Sequence, residues 1–138
     1  MNPPVAACAP FHPGLFEAND GSLRLIASRC RSCGRYAFPS KRFCSSCHSG
    51  DAETVHLKGT GRVYAFTHVA LPPKSMGGPY VAAYIDMDEG VRIFAQIADA
   101  DVTSLRIGDR MRVDFRQAPG AEAGLVAYAF VPAGENAA

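Results

Sequence analysis

In the run Val91 to Ala98 apolar and polar residues alternate, with Val91, Ile93, Ala95 and Ile97 on one side and Arg92, Phe94 and Gln96 on the other. A period of two belongs to a β-strand, and the apolar set faces a core. The same rhythm recurs in Arg110 to Gln117, where Met111, Val113 and Phe115 oppose Arg110, Arg112, Asp114 and Arg116. Short β-rich runs bounded by glycine, proline and acidic turns predict three more strands: Arg62 to Leu71, Tyr80 to Met87 and Gly124 to Val131. Thr54 to Leu57 reads as a lead-in to the first. In that first strand Arg62, Tyr64, Phe66 and His68 share one face and Val63, Ala65, Thr67 and Val69 the other.

Connections add order to the strands. Asp88-Glu89-Gly90 makes a hairpin of the second and third, and Asp101 or Asp99 is placed to cap one short helical turn before Gly108-Asp109 opens the fourth. Five strands with a small helical turn after the third predict an OB-fold, a partly open Greek-key barrel. Ahead of it, Phe11 to Asn19 reads as a short helix with Pro13 in its first turn, Leu15 and Phe16 as apolar anchors, and Asp20-Gly21 as its stop. Leu23 to Arg29 is a strand entering a cysteine-rich segment, and Tyr36 to Phe38 the strand returning from it. The expected organisation is a mobile arm over 1–10, helix plus ribbon over 11–50, the barrel over 51–132 and a loose tail over 133–138.

Composition narrows the class. A chain of 138 residues with 48% apolar and 20% charged residues has the profile of one folded domain, or of a small domain with a stapled appendage, and not of a disordered tail or a fibre. No apolar run approaches the ~20 residues that cross a bilayer, and Met1 to Pro10 lacks a basic and apolar leader, so a cytoplasmic location without membrane contact is expected. The net charge of +1 hides an asymmetry: residues 1–50 carry six bases against two acids, residues 51–138 eight against eleven. The positive charge belongs to the ribbon, through Arg24, Arg29, Arg31, Arg35, Lys41 and Arg42.

Four of the five cysteines, Cys30, Cys33, Cys44 and Cys47, form two C-x2-C pairs ten residues apart. Two intervening residues let a tight turn aim both sulfurs at one point, and two such turns supply the four thiolates of a tetrahedral zinc site. A closed four-thiolate shell leaves no position for water, so the site is expected to be structural. Iron fits the same cage, since thiolates alone discriminate weakly between metals. Disulfides call for an oxidising compartment, and a redox dithiol uses one C-x-x-C rather than two. His48, next to Cys47, is a rival ligand that four thiolates make unnecessary. Cys8 reads as an idle thiol.

Self-contained catalysis lacks its usual signatures: there is no G-x-S-x-G elbow, no G-x-x-x-x-G-K loop and no G-x-G-x-x-G after a strand. Asp86, Asp88 and Glu89 cluster, but at a hairpin tip where carboxylates form turns. His12, His56 and His68 show no spacing that pairs them with a nucleophile. The loop Pro72 to Pro79 reads either as a simple crossover or as the border of a binding face, and Gly59 and Gly61 mark a bend or bulge.

The order of parts is itself informative. Cys30-Arg31-Ser32-Cys33-Gly34, Phe38-Pro39 and Cys44-Ser45-Ser46-Cys47 are followed by Gly59-Thr60-Gly61-Arg62-Val63-Tyr64, Pro79-Tyr80, Ile107-Gly108-Asp109 and Phe130-Val131-Pro132. This resembles the acyl-CoA-associated OB-fold family with an N-terminal rubredoxin-like zinc ribbon, over about Phe11 to Pro132. Ser45 and His48 stand where that family commonly has proline and glycine. The resemblance implies a non-catalytic accessory subunit in a hetero-oligomer with a thiolase-like, acyltransferase or aldolase/hydratase enzyme, with Cys30, Cys33, Cys44 and Cys47 as metal ligands and a CoA thioester bound in the complex. The basic ribbon (Arg29, Arg31, Arg35, Lys41, Arg42) would meet CoA phosphates or an acidic partner, and Tyr64, Phe66 and Phe94 an apolar interface. The alternative is a single-stranded nucleic-acid module, which the net negative barrel disfavours.

Overall fold

The computed structural model describes residues 9–10, 15–19, 22–72, 74, 78–117 and 125–133. Its strands are β1 (Ala9–Pro10), β2 (Phe16–Asn19), β3 (Ser22–Cys30), β4 (Tyr36–Ala37), β5 (Ala52–His56), β6 (Thr60–Val69), β7 (Tyr80–Met87), β8 (Arg92–Ile97), β9 (Arg110–Gln117) and β10 (Leu125–Pro132). The last five close a barrel. β6, β7 and β8 form an antiparallel meander, β9 pairs with both β6 and β10, and β10 meets β8 through the parallel pair Phe130 and Ile97. That cyclic order, β6-β7-β8-β10-β9, is the OB-fold expected from strand spacing. The β8–β10 seam is thin: the Ala98 amide donates to the Phe130 carbonyl at 2.8 Å, and the Tyr128 hydroxyl to the Phe94 carbonyl at 3.2 Å. The helical turn after β8 is a single one, with the Leu105 amide donating to the Asp101 carbonyl and the Asp101 carboxylate accepting from the Thr103 amide and hydroxyl.

The alternation in β8 holds, with Ile93, Ala95 and Ile97 buried and Arg92 and Phe94 exposed. β6 departs from it. Val63 pairs with Ile85 and Ala65 with Tyr84, so Tyr64 is an extra residue, a bulge that reverses which side chains face inward. Arg62 and Tyr64 therefore point out as expected, but beyond the bulge Phe66 packs half-buried against the core and Ala65 joins the outer face beside Tyr84. Gly61 sits where β6 crosses β7, and a Cβ there would lie 2.5 Å from the Asp86 carbonyl oxygen.

The N-terminal half corrects the sequence reading. Phe16–Asn19 is not helical: it pairs antiparallel with β3, Asn19 opposite Ser22. Asp20-Gly21 reads as a helix stop, yet a two-residue Asp-Gly step between paired strands is equally the signal of a tight hairpin, and the tertiary contact of Phe16 decides between them. Phe16 is buried against Phe115, ring centroids 4.9 Å apart. Residues 11–14 of the expected helix lie outside the described residues. Thr54 to Leu57 is likewise less a lead-in to the barrel than part of the ribbon, since β5 pairs along β3 from Ile26 opposite His56 to Cys30 opposite Ala52. Ala9–Pro10, at the end of the expected arm, pairs in parallel with Leu125 and Val126 of β10.

Ribbon and barrel share one core. Phe16, Leu25, Ala27 and Leu57 cluster with Val63, Ile85, Ile93, Met111, Val126 and Phe130. Burial of each large member stabilises the fold by roughly 1.5–3 kcal/mol. The acidic hairpin tip locks the junction: a Glu89 oxygen accepts from the Lys58 amide at 2.7 Å, and Asp88 accepts from the Thr60 hydroxyl at 2.6 Å and from the two terminal Arg110 nitrogens at 2.8 and 3.1 Å. Those carboxylates are therefore structural. No helix among the described residues is long and apolar enough to cross a membrane.

Candidate metal centre

Two turns of identical pattern build the site. In the first, the Gly34 amide donates to the Cys30 carbonyl and the Cys30 amide to the Arg35 carbonyl, both at 2.8 Å. In the second, the His48 amide donates to the Cys44 carbonyl and the Cys44 amide to the Ser49 carbonyl, both at 2.9 Å. The turns face each other, joined by the Ser32 and Ser49 hydroxyls at 3.0 Å.

All four Sγ atoms of Cys30, Cys33, Cys44 and Cys47 lie within 4.8 Å of one another, with Cys30–Cys47 at 3.5 Å and Cys33–Cys44 at 3.6 Å. Sulfurs at about 2.3 Å from one ion sit about 3.8 Å apart in a tetrahedron, so the arrangement fits a single dication. Cys30 is buried, Cys44 half-buried, and Cys33 and Cys47 are exposed, so the cage is rooted in β3 and opens toward solvent. His48 lies outside the four-sulfur group; Cys8 and His12 lie outside the described residues.

The backbone already favours thiolate at two positions, Cys44 and Cys30. The Cys47 and Ser46 amides point at the Cys44 sulfur at 3.4 and 3.3 Å and hold its thiol down to about 6. Cys30 is lowered chiefly by the Cys33 amide. Cys47 is pushed up to about 12: the Ser49 amide favours its thiolate, but hydrogen bonding with Cys30, burial, and the Cys33 and Cys44 sulfurs outweigh it. Four sulfurs this close share protons unevenly unless a cation removes them all.

The basic ribbon is less free than its sequence suggests. Arg29 pairs with Glu53 at 3.4 Å and Arg31 with Asp51 at 2.9 Å, whereas Arg35, Lys41 and Arg42 pair with no carboxylate among the described residues. Arg35 and Lys41 border the same small recess as Cys30 and Cys44. His56 is held by Glu17 at 2.7 Å, consistent with a structural histidine. Sequence reasoning missed the pairing of Arg29 and Arg31, because Asp51 and Glu53 reach them only through the β3–β5 register.

Residues 21–53 match the family model of the ChsH2 rubredoxin-like zinc ribbon domain, and residues 54–116 that of the ChsH2 C-terminal OB-fold domain. A DUF35 domain-containing scaffold protein of Methanothermobacter thermautotrophicus is 34% identical over 110 residues, covering 77% of this chain and 83% of that one. The chain belongs to the DUF35 family. Another relative of this DUF35 protein, the benzoylsuccinyl-CoA thiolase subunit BbsA of Geobacter metallireducens, is 32% identical over 105 residues, 75% of this chain and 70% of that one. Among solved structures, a chain of the Ltp2-ChsH2(DUF35) aldolase superposes with a TM-score of 0.69 at 30% identity, covering 80% of this chain and 86% of that chain. The acyl-CoA-associated resemblance read from the motifs thus identified the right family.

Proposed function

We propose that this DUF35 protein is a non-catalytic accessory subunit, cytoplasmic and hetero-oligomeric, that binds and supports a thiolase-like or acyltransferase-type enzyme acting on acyl-CoA thioesters. The observation that carries the reading is that ribbon and barrel together match a thiolase subunit and a chain of an aldolase complex, at 32% and 30% identity. In this reading Cys30, Cys33, Cys44 and Cys47 hold structural zinc, with iron the alternative in the same cage; the ion orders the ribbon and performs no chemistry. Arg35, Lys41 and Arg42, free of carboxylate partners among the described residues, are the ribbon cations left to meet CoA phosphates in the complex. Arg29 and Arg31 are already neutralised.

The test is reconstitution with a thiolase-, hydratase- or aldolase-type subunit of the same organism. Co-purification in a defined stoichiometry, with retention of the complex on immobilised CoA, is the expected result. A chain that forms no such complex but binds single-stranded oligonucleotide with steep salt dependence would instead be a nucleic-acid module.

A further inference from the structure

We infer that the outer face of β6, β7 and β8 is the surface that seats the enzyme subunit, and that the matching face of that subunit is apolar at its centre and carboxylate-bearing at its rim. The inference rests on the accessory-subunit reading and adds where the partner sits and what chemistry it presents.

Three aromatic side chains point outward from three adjacent strands: Tyr64 (49% exposed), Tyr84 (46%) and Phe94 (60%). None contributes much to the barrel core, and an isolated domain gains little from showing them to water. Tyr84 and Phe94 are cross-strand partners with ring centroids 5.3 Å apart, and beside them lies a shallow cleft of about 190 Å³ bordered by Ala65, Thr67 and Ala82. The bulge widens this face: because Tyr64 is the extra residue, both Tyr64 and its neighbour Ala65 turn outward, where regular alternation would send Ala65 into the core.

Arg92 makes the face rigid. Its guanidinium lies 3.4 Å from the centre of the Tyr64 ring and is gripped by Asp86 through two hydrogen bonds of 2.6 and 3.2 Å. Tyrosine and arginine fixed before association lose little freedom on binding, and these residue types dominate interface energetics.

Charge states what the partner must bring. The face carries two guanidiniums, Arg62 and Arg92, against the single carboxylate Asp86. Arg62 donates to the Gly108 carbonyl at 3.0 Å and forms no close ion pair among the described residues, although its charge reaches Asp88 and helps lower that carboxyl. This local excess of positive charge stands on a half-chain with eight bases and eleven acids. Acids elsewhere on the barrel are drawn into internal pairs, Asp88 with Arg110, and Asp99 and Asp114 with Arg116. An apolar centre with a basic edge complements an apolar patch edged by Asp or Glu. Two cations are too few to track a phosphate backbone, which favours a protein occupant.

The reconstituted complex supplies the test. Tyr84→Ser/Phe94→Ser and, separately, Arg62→Glu are compared with Leu71→Ser, which alters a side chain 96% exposed beyond the end of β6. Metal content and thermal midpoint verify that each variant is folded. Binding of the purified enzyme subunit is expected to weaken at least tenfold for the first two and to stay unchanged for Leu71→Ser. If the unaltered chain forms the complex and the first two variants bind equally well, the docking face is wrong while the accessory role stands. If the unaltered chain forms no complex, both fall. A single-stranded 12-mer bound by the unaltered chain and lost in the same variants overturns the protein occupant.

Discussion

Gly34 and His48 occupy the same position in the two cysteine turns, each donating its amide to the carbonyl of the cysteine four residues earlier, with φ of 81° and 63°. Glycine adopts that left-handed conformation freely, whereas for a residue with a Cβ it costs about 1–2 kcal/mol. His48→Gly should therefore stabilise the ribbon by about 1 kcal/mol, and Gly34→Ala should destabilise it by a similar amount, both read from chemical denaturation of the metal-loaded protein. Loss of metal in His48→Gly would show that the imidazole, not the fourth sulfur, completes the shell.

Metal removal should act on one region. Between β3 and β5 the only strand is the two-residue β4, and residues 31–35 and 38–51 are turns and irregular backbone. Metal binding in zinc-finger peptides is worth about 10–16 kcal/mol, more than so little packing can replace. A strong chelator, or Cys33→Ser, is expected to collapse the dispersed amide resonances of residues 31–51 while those of β6 to β10 persist. Cys8→Ser should leave metal content unchanged. Freshly purified protein with neither zinc nor iron, and a ribbon indifferent to chelation, would remove the metal from the account.

The barrel was legible because period-two alternation and turn residues are local: β8 and β9 fall where Val91–Ala98 and Arg110–Gln117 predicted. The four sulfurs were legible because C-x2-C encodes its own turn. Three features were not. Phe16–Asn19 is too short to show a period, and its strand character comes from pairing with β3 and from Phe115, far along the chain. The bulge at Tyr64 leaves no mark on a strand whose two faces are both partly apolar. The neutralisation of Arg29 and Arg31 depends on β5 lying beside β3, a register that no local pattern states.

Gly61 predicts a steric penalty. A methyl group there meets the Asp86 carbonyl at 2.5 Å and the Ile85 side chain at 3.0 Å, and the first of these is backbone of a paired strand that cannot rotate away. Gly61→Ala should destabilise the protein by about 1–3 kcal/mol through forced separation of β6 and β7. Urea unfolding followed by circular dichroism measures it. An unchanged midpoint would mean that the strand crossing relaxes without cost.

Acid should loosen the junction between ribbon and barrel in a predictable window. Hydrogen bonds from Arg110 and from the Thr60 hydroxyl hold the Asp88 carboxyl below its ordinary 3.8. Asp99 beside Arg116 and Asp101 beside Thr103 are lowered too. A carboxyl lowered on folding contributes stability that is present above its unfolded value and disappears as pH falls through the folded one. The thermal midpoint should thus be level from pH 7 to about 5 and decline below about 4. Asp88 is about two-fifths exposed, so its pair with Arg110 contributes about 1 kcal/mol or less. Asp88→Asn should unfold a few degrees earlier at pH 7 and fall less steeply in acid, so that the two curves converge once the pH has dropped below the ordinary carboxyl value of 3.8. A constant offset between them at every pH would show that the Asp88 charge has no part in holding the junction.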